Sequence, residues 1–207
     1  MKNLKTLSSS LLLFLFLMNC SSDDYEITPE GSDEFNGSIE SIENFYSAEL
    51  LAALDDLGFE INTGSTPPDI TGQFSISPIT LLNSNFNDSY AIGHVFSNGL
   101  LSFSNQDNQT LTIDVHYEQG SSTNIGVQSY ISGNDDLFSA FLKVESIQNG
   151  HTSIIARAFS GKITQNGIED FYEVLVMLDD NGDPNNNLIE NNQGRLFYDA
   201  DGISERQ

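Results

Sequence analysis

The sequence predicts an all-β domain with one short N-terminal helix, folded as an up-and-down antiparallel β-barrel of about eight or nine strands. Three observations predict it. Apolar and polar residues alternate over most of the chain after Gly58. Asn-Gly and related turn pairs cut that alternation into short runs. Helical spacing is confined to one stretch ahead of Gly58. A two-sheet sandwich is the alternative architecture.

The helix comes first. Within 39–57, Ile42, Phe45, Leu50, Leu51, Leu54 and Leu57 recur mostly at helical spacings and so fall on one face. Ser47, just ahead of Leu50 and Leu51, reads as an N-cap. Gly58 stands where a left-handed residue would end the helix, so 47–57 is its firmest part.

Beyond Gly58, the run Thr110 to Glu118 is the clearest strand. Leu111, Ile113, Val115 and Tyr117 point one way and Thr112, Asp114, His116 and Glu118 the other. Similar runs occupy 71–77, 90–96, 99–104, 124–132, 137–147, 152–163, 169–178 and 194–199. Between them stand Asn98-Gly99, Gln119-Gly120, Gly133-Asn134-Asp135, Asn149-Gly150 and Asn166-Gly167. Short antiparallel connections favour a meander, and closure of a meander removes its exposed edges. At about eight strands the interior is either filled by side chains or holds one small ligand.

Ahead of the domain, residues 1–19 read as a secretory signal. Lys2 and Lys5 form a basic start, and an apolar run from Leu11 to Met18 follows. That run is far shorter than the roughly 20 residues a spanning helix needs. Leu17-Met18-Asn19-Cys20 resembles a lipobox, with Asn19 where a smaller residue is preferred. The resemblance implies a diacylated Cys20 at the new N-terminus. Cys20 is the chain's one cysteine, so no internal disulfide forms. Residues 20–38 are rich in Ser, Asp, Glu and Gly and read as a flexible acidic tether, leaving 39–207 as the single domain. Ser21-Ser22-Asp23-Asp24 resembles the signal that sends lipoproteins of Bacteroidota to the outer face of the outer membrane.

Charge narrows the partners. Lys plus Arg number 7 and Asp plus Glu 30, a formal net charge of −23. Nucleic-acid affinity rests on cationic contacts to phosphate, so nucleic acid is excluded as a partner. The membrane is reached through the lipid, two acyl chains being enough for stable anchoring. Divalent cations and cationic partners suit such a surface.

Gly64-Ser65-Thr66-Pro67-Pro68-Asp69-Ile70-Thr71-Gly72-Gln73-Phe74 follows the helix directly, with Ser77-Pro78 and Leu82-Asn83-Ser84 further on. The pattern resembles uncharacterised surface lipoproteins of Bacteroidota, a resemblance that implies no activity. The layout is also distantly similar to lipocalins, which open their barrel with a helix and a Gly-x-Trp. Gly72-Gln73-Phe74 stands in that place here, although the chain has no Trp. The similarity implies that Arg195, near the last strand, packs over that aromatic.

Two sets of residues are candidates for chemistry. Tyr90, Ile92, His94 and Phe96 share one face of the strand expected at 90–96, so they would line the barrel interior as a small-ligand site. Asp179, Asn181, Asp183, Asn185 and Glu190 follow an apolar strand, and Asp199 and Asp201 form a second acidic turn. Closely spaced carboxylate and amide oxygens suit Ca²⁺, which takes about six to eight of them. The same residues are those of ordinary solvated turns. His116 and His151 are expected at the surface, and no two histidines have zinc-pair spacing. No Gly-x-Ser-x-Gly elbow and no phosphate-binding glycine loop occurs. The chain is therefore read as a non-enzymatic module on the outer membrane that binds a small ligand or a partner. A calcium-stabilised component of the cell surface is the alternative, and a surface hydrolase the third reading.

Overall fold

The computed structural model describes residues 34–120, 122–125, 128–148, 151–183, 185 and 187–207. Cys20 and most of the tether lie outside them. Two helices open the domain, α1 (Ile39–Phe45) and α2 (Ala48–Leu57). The Ser47 hydroxyl accepts the Leu50 N–H at 3.2 Å, and Gly58 closes α2 in the left-handed conformation (φ 86°). Both ends of α2 are the ones its sequence specifies. The expected single helix is broken at Tyr46 and Ser47, because Ser47 takes an extended backbone to cap α2, while Ser38 caps α1.

Eleven strands follow: β1 (Gly72–Ile76), β2 (Ile79–Ser84), β3 (Gly99–Asp107), β4 (Thr112–Gln119), β5 (Ser122–Ile125), β6 (Gln128–Asn134), β7 (Leu137–Gln148), β8 (His151–Ile163), β9 (Gly167–Asp179), β10 (Gly194–Asp199) and β11 (Ile203–Arg206). Several are halves of one interrupted strand. β2 continues β1 past Ser77 and Pro78, and β11 continues β10 past a turn; β1 pairs β11 while β2 pairs β10. β5 and β6 likewise lie in sequence along β4. Counted so, antiparallel neighbours follow chain order from β1–β2 round to β10–β11, and the last strand pairs with both β9 and the first. The sheet closes as an all-β, barrel-like meander. Its narrowest seam is β4 with β6, joined in register through Thr112 and Tyr130.

The interior is filled. Phe74, Phe103, Tyr117, Phe138, Phe159 and Phe171 occupy it, each at most 2 % exposed. Phe103 stands 6.1 Å from Phe74, 6.0 Å from Phe138 and 6.2 Å from Phe159, in tilted or edge-on contacts that aromatic rings favour. Among these rings sits an ion pair. Arg157 Nη1 meets Glu173 Oε1 at 2.5 Å, Tyr117 donates its hydroxyl to Glu173 Oε2 at 2.8 Å, and the guanidinium lies 4.8 Å from the Tyr117 ring centre. Burial pushes the Glu173 carboxyl up, and Arg157 and the Tyr117 hydroxyl pull it back. Burial also raises the Tyr117 phenol, which stays protonated as the donor.

A second core lies outside the barrel wall. α1 and α2 bury Ile42, Leu50, Leu54 and Leu57 against Phe141, Ala156, Ala158, Val174, Val176 and Leu196. The two alanines of β8 let the helices approach the wall closely. Tyr46, at the break between the helices, donates to Arg157 O at 2.7 Å and accepts from Leu142 N at 3.1 Å, which bolts the pair to the sheet.

Two expectations about strands are corrected. Leu111 does not share a face with Ile113, Val115 and Tyr117: it precedes β4 with φ 54° and packs in the outer core. The run 90–96 is a loop in which a turn at Ile92-Gly93 reverses the chain, with one bridge from Val95 to Thr80.

Candidate functional site

Strand directions divide the connections between two barrel ends. The turns after β3, β6 and β8 and the C-terminus lie at the first. The loops after β2, β4, β7 and β9 lie at the second.

The first end is sealed. The segment between α2 and β1 crosses it, held by Gly133 N to Gly64 O (3.1 Å), Asn108 Nδ2 to Pro67 O (3.0 Å) and Gln106 Nε2 to Pro68 O (2.8 Å). Ile70 plugs it at 0 % exposure. The Arg206 guanidinium lies 4.7 Å over the buried Phe74 ring and donates to Thr71 O at 2.8 Å. A methyl group at Gly72 would run into that guanidinium, so the glycine makes room for it. The basic residue over the Gly-x-aromatic is thus Arg206, not Arg195. β11 delivers it, its register setting Phe74 opposite Arg206.

The second end carries the candidate site. After β2 the chain runs out and returns, with Leu81 N bonded to His94 O and Phe96 N to Ile79 O, both at 2.9 Å. The loop gathers aromatic rings. Tyr90 and His94 lie 4.6 Å apart, Tyr90 and Phe96 4.9 Å, and His94 and Phe96 4.7 Å. Phe96 is seated edge-on against Phe197 at 5.3 Å. Arg195 braces the loop from below: Nε meets Asp88 Oδ2 at 2.5 Å and Nη2 meets Oδ1 at 2.9 Å, while its guanidinium lies over Phe86 (5.2 Å) and Tyr90 (5.4 Å). The bonds from Arg195 hold the Asp88 carboxyl below the usual carboxylate range.

The structure therefore brings Tyr90, His94 and Phe96 together at the rim, with Phe96 alone packed against the interior core. Tyr90 and His94 are exposed, as is Ile92 on the turn. Tyr90, Ile92 and His94, expected to line the interior, are not among the side chains of its buried cluster. Sequence periodicity missed Phe86, Asp88 and Val95, which the fold adds to the same rim. Asp88 and Arg195 are 107 positions apart, beyond the reach of any local pattern.

The acidic loop lies beside this rim. Asn85 links the two, bonding Asn192 O (2.9 Å) and Gly194 N (2.8 Å). Its carboxylates face its own amides: Asp179 accepts from Asn181 N, Asp180 from Gly182 N and Asp183 from Leu188 N. The amides of Leu188, Asn187 and Asn185 hold Asp183 below the usual carboxylate range. Asn185 and Glu190 are exposed, and the Glu190 amide bonds Gln193. Asp199 and Asp201 stand past the far end of β10 from this loop, so the two acidic turns do not share one calcium site. Among the described residues no three His, Cys, Asp or Glu side chains are grouped to hold a metal ion. His116 lies on the outer face 3.4 Å from Glu118, and His151 Nε2 meets Asp180 O at 2.6 Å.

In comparisons with known proteins the chain matches no family model, no curated protein and no solved structure.

Proposed function

We propose that the chain is a lipid-anchored module of the outer membrane, facing the cell exterior, that binds a partner protein through the rim loop 85–96. One observation carries the reading: large apolar side chains stay exposed at the barrel end opposite the one where the chain enters. Leu82, Tyr90, Ile92 and Val95 are 39, 41, 61 and 56 % exposed. The described chain begins at the sealed end, where Glu34 and Phe35 lie near Ser65, Asn108 and Leu111. A tether from a lipidated Cys20 would join the domain at that end. Clustered exposed apolar groups with a polar border mark contact surfaces more than single ones do. With a net charge of −23, the module favours a partner whose apolar contact is ringed by basic residues.

Two arms test the reading in cells that make the protein. Mass spectrometry of the mature protein should find its N-terminus at Cys20 with a diacylglyceryl thioether on the sulfur, and an unmodified Cys20 would refute the anchor. A photo-crosslinking residue at position 92 should give one discrete adduct that Val95→Asp abolishes and that position 137, exposed at the sealed end, does not give. The same adducts from both positions would refute the rim.

A further inference from the structure

A groove on the helical side of the domain shares no lining residue with the rim. It runs along the end of α2 and the segment that leaves it, and holds about 760 Å³. That volume falls in the range of small-molecule sites, roughly 300–1,000 Å³. Its apolar lining is Ile39 from α1, Leu51 from α2, and Phe59 and Ile61 from the segment after Gly58. Phe59 is buried in the outer core, Leu51 and Ile61 are half-buried, and Ile39 is 51 % exposed. Asp55 and Glu60 line the groove too, and both are exposed.

The charge at this groove is unmatched. The last turn of α2 holds Asp55 and Asp56 and no basic residue. Free carbonyls make a helix C-terminus its negative end, where a carboxylate is unfavourable and a cation favourable. No Lys or Arg occurs between Lys5 and Lys143. The five described lysines and arginines are engaged elsewhere: Lys143 over Phe45, Arg157 on Glu173, Lys162 between Asp136 and Glu169, Arg195 on Asp88 and Arg206 over Phe74. Among the described residues no ion pair reaches Asp55, Asp56 or Glu60. An apolar lining bordered by uncompensated carboxylates is complementary to one class of ligand, an apolar body that carries a positive charge.

We propose that the groove beside α2 binds a small organic cation, with its apolar body against Leu51, Phe59 and Ile61 and its charged nitrogen at Asp55 and Glu60. The apolar contact supplies affinity by removing area from water. The carboxylates and the negative helix end supply selection by sign: a neutral ligand gains only the apolar contact, and an anion is repelled. Ala52, exposed in the same lining one turn before Asp55, is where α2 would carry a cation of its own if the site served stability alone.

The test uses the full chain in a non-ionic detergent and two photoreactive probes of one size, the cation para-benzoylbenzylammonium and the anion para-benzoylbenzoate. The cation should label peptides within 51–62 to saturation, and the anion should leave them unlabelled. Equal labelling by the two would overturn the proposal. So would no labelling by the cation, which would mean that the groove is filled by the chain itself or by a partner. Asp55→Asn with Glu60→Gln should lose the labelling yet raise the melting temperature, because like charge at the helix end is removed. Labelling retained in that variant would show an apolar surface without preference for charge, and a lowered melting temperature would show carboxylates that the fold itself needs; either contradicts the proposal. Ala52→Arg should also lose the labelling, while Ala52→Gln keeps it, and equal labelling of these two variants would count against a site for a cation.

Discussion

The two ends of the barrel use the same chemical device for different purposes. At each, an arginine from the last strand lies over an aromatic ring. At the sealed end Arg206 covers Phe74, which is 0 % exposed and belongs to the interior core. At the rim Arg195 covers Phe86 and Tyr90, and Tyr90 remains 41 % exposed. Arg206 donates to a backbone carbonyl and closes the end. Arg195 spends its donors on Asp88, a loop residue, and so shapes a surface. The same guanidinium-on-ring contact thus stabilises a core where its ring is buried and organises a presentation loop where its ring is not. Stability should therefore be concentrated at the interior and the sealed end, with the rim free to serve contact.

The largest expected effects lie in the interior. Arg157→Met leaves Glu173 buried without its counter-charge and should cost about 3–5 kcal/mol in urea unfolding. Arg157→Met with Glu173→Met should recover most of that loss, because a matched apolar pair suits a ring-filled barrel. Phe74→Ala should cost a similar amount, about 3–5 kcal/mol, by opening a cavity beneath Arg206.

At the rim the expected effects are smaller and depend on pH. Asp88→Asn should cost about 1–2 kcal/mol near neutrality, since it weakens a bidentate pair whose arginine is partly solvated. The Asp88 carboxyl is lowered in the fold, so its contribution is present above the unfolded carboxyl range and is lost as pH falls through the lowered value. Amide protection factors across 86–92, which remove the intrinsic pH dependence of exchange, should fall in acid in the parent and be low at every pH in the variant. Equal exchange in the two proteins would show that Arg195 does not hold the loop.

Much of this architecture was legible in the sequence, and the losses have physical causes. Ser47 and Gly58 announced α2 because caps are local chemistry. The alternation of 112–119 matches its burial residue by residue. β2 gave no such signal, since Ile79, Thr80 and Leu81 are all buried, one face against the interior and the other under neighbouring chain. β11 is four residues long and mostly polar, so only its pairing with β1 and β9 makes it a strand. Tyr90, His94 and Phe96 do come together, but parity along a chain does not reveal the turn at Ile92-Gly93 that brings them so. Which arginine meets Phe74 depends on register between the chain's two ends, and no local pattern carries that.

Equilibrium unfolding of the triple variant Tyr90→Ala, Ile92→Asp, Val95→Asp tests the contrast between the ends most directly. The account predicts a stability within about 1 kcal/mol of the parent, as expected of substitutions away from a core, together with loss of the adduct formed from a crosslinker placed at Leu82. A loss as large as that of Phe74→Ala would contradict it, because the rim would then be part of the core and not a surface held ready for a partner.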